Sequence, residues 1–321
     1  MKAAMIFLAG AALCVPAPAC AADYPSKPIT LMIGFAPGGP SDVMARILTK
    51  KMEEILKQPL VIENRAGAGG SIAGAAVARA APDGYTVLLA TGSLLAINVS
   101  LYKNIGYDPE KDFEPIGLIG TQTNVLYLNP SVPAPSLGEL IAYAKANPGK
   151  LSFGSGGNGT PAHLAGELLK LEAKIDITHV PFRGTGPALQ AVIGGHVPMA
   201  FNPPSPLLPH IQSGTIRALA VTTLKRTDVL PEVPSIAESG FPGFEATTWH
   251  ALVAPAGTPK DVIATLHRAT AATVNDPSVR KALTDLGVDV VGGTPEELRA
   301  YVKSEIPKWA EVVRASGAKV D

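Results

Sequence analysis

The stretch "ITLMIGFAPGGPSDVMARILTKKMEEIL", residues 29–56, decides the fold. An apolar run ends in a Gly-Pro turn and is followed by a run of helical period, which predicts a strand over 29–35 and a helix over 41–56. The turn "GFAPGGPSD", 34–42, therefore puts bare backbone amides at a helix N-terminus, where anions are commonly held. It lacks the Gly-Lys-Ser/Thr of a phosphate loop.

The same design recurs. "PLVIEN" at 59–64 reads as the next strand, a Gly-rich turn then feeds an Ala-rich helix that stops before Pro82-Asp83-Gly84, and "TVLLAT" at 86–91 is a third strand. Farther on, "KLSFGSGGNGTPAHLAGELLKLEA" at 150–173 and "DITHVPFRGTGPALQAVIGG" at 176–195 repeat strand, Gly-rich turn and helix, with Pro187 expected at a first helical position. Strands alternating with helices predict an α/β fold with parallel sheets. Capping boxes are expected at Ser136–Glu139 and Thr294–Glu297.

Two junctions break the alternation. In "EPIGLIGTQTNVLYLNP", 114–130, two apolar runs are separated by "GTQT", too short for a crossover helix, and "EATTWHALVAPAGTP", 245–259, lets the chain cross back before two more helices. The expected organisation is a discontinuous first domain, 23–122 plus 246–321, around a second at 123–245. About 300 residues are enough for two separate cores.

Residues 1–22 read as a secretory signal: Lys2, an apolar core, and the small-residue run "APACAA" permitting cleavage near Ala21 or Ala22. Both cysteines, Cys14 and Cys20, fall within it, so the exported chain is expected to carry no thiol chemistry. Of 27 basic and 27 acidic residues, only Lys2 is lost with the leader, leaving 26 against 27 and a net charge of −1. That balance offers nothing to nucleic acid. No later apolar run reaches the ~18 residues of a membrane span, and the exported chain is expected in the periplasm.

Catalytic and cofactor motifs are weak. "GSGGNG", 154–159, matches G-x-G-x-x-G after a strand, but it lies deep in the chain and the nearest acid, Asp176, opens the following strand. Ser71 sits in "GGSIA", one residue from a nucleophile elbow, without an Asp and His in hydrolase order. The six histidines show no i,i+4 pair and no HExxH, and the carboxylates form no local pair, so no metal, no cofactor and no catalysis are expected. The positive reading is capture of an anion by turn amides and the hydroxyls of Ser41, Ser155, Thr160 and Thr185, without fixed charge. Arg183 is the one cation within these turns.

With these residues in hand, the sequence resembles the Bug family, the extracytoplasmic receptors of tripartite tricarboxylate transporters. Seven segments carry the resemblance in order: "YPSKPITLMIGFAPGGPSD" at 24–42, "VIENRAGAGGSIAG" at 61–74, "APDGYTVLLAT" at 81–91, "NPGKLSFGSGGNGTPAHLAGEL" at 147–168, "HVPFRGTGPAL" at 179–189, "LPHIQSGTIRALAVT" at 208–222 and "APAGTP" at 254–259. The resemblance implies a two-domain periplasmic-binding-protein clamshell with crossing hinge strands. It implies capture of a small carboxylate, a di- or tricarboxylate or an aromatic acid, for delivery to membrane subunits of a transporter or to a sensor protein. A monomer is expected. An exported serine hydrolase using Ser71 or Ser155 is the rival from another class.

Carried over residue by residue, the resemblance implicates Phe35, Ala36, Pro37, Gly38 and Ser41 in one lobe and Ser155, Asn158, Gly159 and Thr160 in the other. Gly184, Thr185, Gly186 and Ala188 would line the same cleft. Pro40 departs from the family's usual Gly and stiffens the first turn. Asn202 stands where an Asp is frequent, so no carboxylate meets a ligand ammonium there, and an acid lacking an amine is expected. His250, beside Trp249, is expected to supply a distal polar contact.

Overall fold

A computed structural model describes residues 24–182 and 184–318; the leader read at 1–22 and Arg183 lie outside the described residues. The first lobe begins with β1 (Ile29–Ile33), α1 (Pro40–Leu56), β2 (Leu60–Asn64), α2 (Ser71–Ala78), β3 (Thr86–Thr91), the short α3 (Asn98–Leu101) and β4 (Phe113–Gln122). The second holds β5 (Val125–Leu128), α4 (Leu137–Ala146), β6 (Leu151–Ser155), α5 (Pro161–Ala173), β7 (Ile177–Pro181), α6 (Thr185–Ile193), β8 (Met199–Asn202), α7 (Leu208–Gln212) and β9 (Arg217–Val221). The chain then returns to the first lobe through β10 (Thr248–Pro255), α8 (Lys260–Asn275), α9 (Pro277–Asp285), β11 (Val288–Gly293) and α10 (Pro295–Ser316).

Each lobe is built on one sheet, in strand order β11-β4-β10-β3-β1-β2 and β7-β6-β8-β5-β9. β1 runs parallel to β2 and β3, and β6 runs parallel to β7 and β8. Crossover helices force this parallel arrangement, and it gathers the turns after β1, β3, β6, β7 and β8 at the carboxyl ends of their strands. β10 enters the first sheet antiparallel to both β3 and β4.

The connection between lobes is narrower than the sequence suggests. Gly120–Gln122 belong to β4, so only Thr123 and Asn124 separate it from β5. The outgoing and returning segments are laced there through the end of β9: Asn124 N–H donates to Thr222 Oγ1 at 2.9 Å, Thr222 N–H to Asn124 O at 2.9 Å, and Ala246 N–H to Thr222 O at 2.9 Å. Behind the crossing, α10 packs against α3 and β4 of the first lobe and α5 of the second. Its buried Glu305 accepts the indole N–H groups of Trp249 (3.3 Å) and Trp309 (2.7 Å) through Oε2 and Lys308 Nζ through Oε1 (2.8 Å), satisfying a carboxylate that packing has removed from water.

Several boundaries differ from the sequence reading for local reasons. β1 stops at Ile33 because Gly34 approaches the backbone of Gly70; a Cβ on Gly34 would lie 2.6 Å from Gly70 Cα. α1 starts at Pro40, with Gly39 as its cap, since proline has no N–H to lose at a first helical position. α6 starts at Thr185, two residues before Pro187, and three helices with a strand, β11, follow β10 where two helices are expected. The Thr294–Glu297 box is complete. At Ser136 the amide of Glu139 donates to the serine Oγ, while the serine hydroxyl donates to the Glu139 carboxylate at 2.6 Å, in place of the reciprocal bond from the cap amide. Among the described residues no helix is long and apolar enough to cross a membrane.

The second lobe's core is tightest where α5 crosses β6: a Cβ on Gly166 would collide with the buried ring of Phe153, which also packs against Phe201 and His179. Gly166→Ala should therefore lower stability by about 1–3 kcal/mol through overpacking, against the ~1 kcal/mol gain that alanine brings to an open helical site. A lowered urea midpoint checks this, and a raised one refutes the packing account.

A neutral cleft between the two lobes

The cleft between the lobes has a volume of about 640 Å³, within the usual range for small-molecule sites. Its first-lobe wall is the β1–α1 turn, Phe35 to Ser41, with Thr91, Ser93, Asn98, Tyr102, Gln122, Thr248 and His250. The second-lobe wall is the β6–α5 turn, Gly156 and Asn158 to Ala162, with Gly184, Thr185 and Pro203. Asn124 lines it at the crossing. No Lys, Arg, Asp or Glu lines the cleft among the described residues.

Donors come instead from three helix N-termini. In α1 the first intrahelical bond is Val43 N–H to Gly39 O; Pro40 has no N–H, so the amides of Ser41 and Asp42 have no intrahelical acceptor. In α5 the cap Thr160 takes the His163 amide through Oγ1 and Pro161 has none, leaving the amide of Ala162. In α6 the cap is Gly184, with no side-chain bond, leaving Thr185 and Gly186. Ser41, Ala162 and Thr185 all line the cleft.

The first turn is held by Asp42, which accepts Gly38 N–H (3.0 Å) and Arg46 Nε (2.9 Å) through Oδ2 and Asn64 Nδ2 (3.1 Å) through Oδ1. Asn64 Nδ2 also donates to Phe35 O at 3.0 Å. Arg46, then the Gly38 amide, hold the carboxyl at about 2, below the usual carboxylate range. Gly38 adopts φ +79°, a left-handed conformation that glycine takes without a Cβ penalty. The second turn rests on paired imidazoles. His163 and His179 stack with ring centroids 3.8 Å apart, His163 Nδ1 accepts Gly159 N–H at 3.0 Å, and His179 Nε2 lies 2.7 Å from Ser155 Oγ.

Eleven of the residues expected at the site line this cleft: Phe35, Ala36, Pro37, Gly38, Ser41, Asn158, Gly159, Thr160, Gly184, Thr185 and His250. Four do not. Ser155 is fully buried and braces its own turn, donating to Gly157 O at 3.0 Å and accepting Gly157 N–H at 3.2 Å. Ala188 faces the core, Gly186 is exposed outside the lining, and Asn202 lies fully buried beneath α6, its Nδ2 donating to Tyr127 Oη and Thr185 O at 3.0 Å each. Asn202 thus supports the α6 terminus. Thr91, Asn98, Tyr102 and Ala162 escaped the sequence reading, although Thr91 ends a parallel strand, the position where ligand contacts concentrate.

Burial of the imidazoles has a thermodynamic consequence. It holds His163 and His250 down at about 4 and His179 at about 3, with the neighbouring His163 and then Lys170 adding to the last shift. An unfolded chain takes up these protons near the ordinary value of 6.5, so between about 6.5 and 4 it binds more protons than the folded one. Stability is then complete above pH 6.5 and falls as pH drops toward 4, by up to about 1.4 kcal/mol per pH unit for each imidazole. Glu172 and Glu245, raised by burial, tilt the curve the opposite way. His163→Asn, which keeps an acceptor for the Gly159 amide but cannot titrate, isolates the effect: its unfolding midpoint should depend less on pH over this window than that of the wild type. An unchanged slope refutes the assignment.

Comparison with known proteins agrees with this geometry. The profile described as "Tripartite tricarboxylate transporter family receptor" matches residues 44–318. Protein BugT of Bordetella pertussis is 40% identical over 316 residues, covering 98% of this chain and 96% of its own. An R. palustris protein solved with adipate, Rpa4515, is 36% identical with a TM-score of 0.79, covering 93% of this chain and 100% of that one. MatC from Rhodopseudomonas palustris, solved with bound malate, is 36% identical with a TM-score of 0.75, covering 90% and 100%. The chain belongs to the tripartite tricarboxylate transporter receptor family of periplasmic solute-binding proteins, a clamshell of two α/β lobes.

Proposed function

We propose that this protein captures a small carboxylate lacking an amine in the interlobe cleft and delivers it to the membrane subunits of a tripartite tricarboxylate transporter, with no catalysis of its own. The observation that carries the reading is the convergence of three helix N-termini on a cleft with no charged side chain among its described lining residues. A carboxylate can accept from the amides of Ser41, Ala162 and Thr185 and from nearby hydroxyls, and a ligand ammonium would find no carboxylate partner. The two relatives solved with adipate and malate support the same ligand class. The proposed lobes are 23–122 plus 246–321 and 123–245, acting as a monomer.

The burial of the candidate nucleophiles supports a binding role. Ser71 is 3% exposed and accepts from Asn98 Nδ2 at 3.0 Å. Ser155 stands within reach of His179 but has no opening to the cleft. Neither serine lines the cleft, which supports binding over hydrolysis.

A thermal-shift screen of mono-, di- and tricarboxylates, aromatic acids and amino acids tests the proposal. A ligand at about 100 times its Kd adds about 2.7 kcal/mol, enough to raise the midpoint by several degrees. Malate- or adipate-like acids should raise it while glutamate and aspartate leave it in place; the largest shift coming from glutamate or aspartate would overturn the ligand class.

A further inference from the structure

Each lobe presents a serine at its turn with a histidine behind it, and the two pairs differ in hydrogen-bonding capacity. Ser155 and His179, 2.7 Å apart, are closed off by the bonds between Ser155 and both backbone groups of Gly157. Among the described residues Ser41 Oγ has one hydrogen-bond partner, His250 Nε2 at 3.5 Å, and both residues line the cleft. His250 is 2% exposed; among the described residues its Nδ1 has no partner, and neither does Oγ1 of Thr91, directly across the strand pair.

A neutral imidazole has one N–H to place. On Nδ1 that hydrogen would be a buried donor with no acceptor. On Nε2 it points at Ser41 Oγ and leaves only a lone pair unmet, the milder of the two defects. Ser41 then accepts from His250, and its own hydrogen is released for another acceptor.

We propose that His250 is a positioning residue: by donating Nε2–H to Ser41 Oγ it turns the serine O–H toward a ligand carboxylate oxygen at the N-terminus of α1. The inference rests on the carboxylate reading above and assigns His250 a role through Ser41 in place of a distal contact of its own. The hydroxyl and the Ser41 amide belong to one residue, so together they present two donors to one anionic oxygen. His250 selects the rotor state in which both serve the ligand.

The test is a double-mutant cycle read by calorimetric titration of the purified protein with sodium malate and sodium adipate. Ser41→Ala and His250→Phe should each weaken the tighter acid about tenfold, the usual scale for one charge-assisted hydrogen bond, and the double variant should be no weaker than either. His250→Gln, whose amide N–H can stand near the position of Nε2–H, should recover most of the affinity, which a purely packing role would not allow. Additive losses of about a hundredfold in the double variant, or a glutamine variant as weak as the phenylalanine one, overturn the proposal. Should His250→Phe fail to fold, Ser41→Ala in the His250→Gln background decides: about tenfold loss is expected, and no loss refutes it. A wild-type protein that binds no carboxylate overturns the functional reading itself and this inference with it.

Discussion

The short crossing at Thr123 and Asn124 is the constraint on which the site depends. Two residues cannot form an independent linker, so the end of β4 fixes the start of β5, and the lacing of Asn124, Thr222 and Ala246 fixes the return path. Backbone bonds of this kind, buried from water, are costly to leave unmade. The turn after β1 and the turns after β6 and β7 line the same cleft. Three helix N-termini thereby come to line one cleft.

Magnitudes explain why such a cleft can hold an anion and still release it. Each helix terminus contributes about 0.3–2 kcal/mol, so three give roughly 1–6, short of the ~8 kcal/mol of micromolar binding. For a ligand bound that tightly, the difference would have to come from hydroxyl bonds and from apolar contact with lining residues such as Phe35 and Leu101. A buried lysine would supply more attraction, but left unpaired in the empty state it would be expensive. Neutral dipoles carry a much smaller desolvation cost when the cleft is empty.

The fold was largely legible because its signals are local. A β-prone run, a Gly-Pro break and a helical period occupy adjacent residues in 29–56 and again in 150–173, and the structure forms strand, turn and helix at both. The cleft residues on those turns were legible for the same reason. Asn202 and Ala188 were not, because the face a residue presents depends on what lies across from it: α6 covers the end of β8, and Ala188 falls on the inner side of that helix. β11 was missed because its pairing partner, β4, lies more than 160 residues earlier, as the Gln122–Val288 pair shows, and nothing local announces it. Ser155 carried the right motif at a strand end, yet its hydroxyl was claimed by Gly157 and His179.

Asp42 shows how the first turn reconciles two opposing demands. An acid in the first turn favours the α1 dipole but would repel an anion bound at the same terminus. The conflict is relieved by geometry: both carboxylate oxygens are engaged, by Gly38 and Arg46 on one and by Asn64 and Arg46 on the other, and the side chain is 2% exposed and absent from the cleft lining. The Arg46 guanidinium offsets its charge from the solvent side, where it is 61% exposed. What remains toward the cleft is a turn held by a carboxylate whose oxygens are taken up by Gly38, Arg46 and Asn64, with the Ser41 hydroxyl and amide as donors. A phosphate loop places a lysine at this point. Here an internal aspartate shapes the turn, and among the described residues no charged side chain lines the cleft itself.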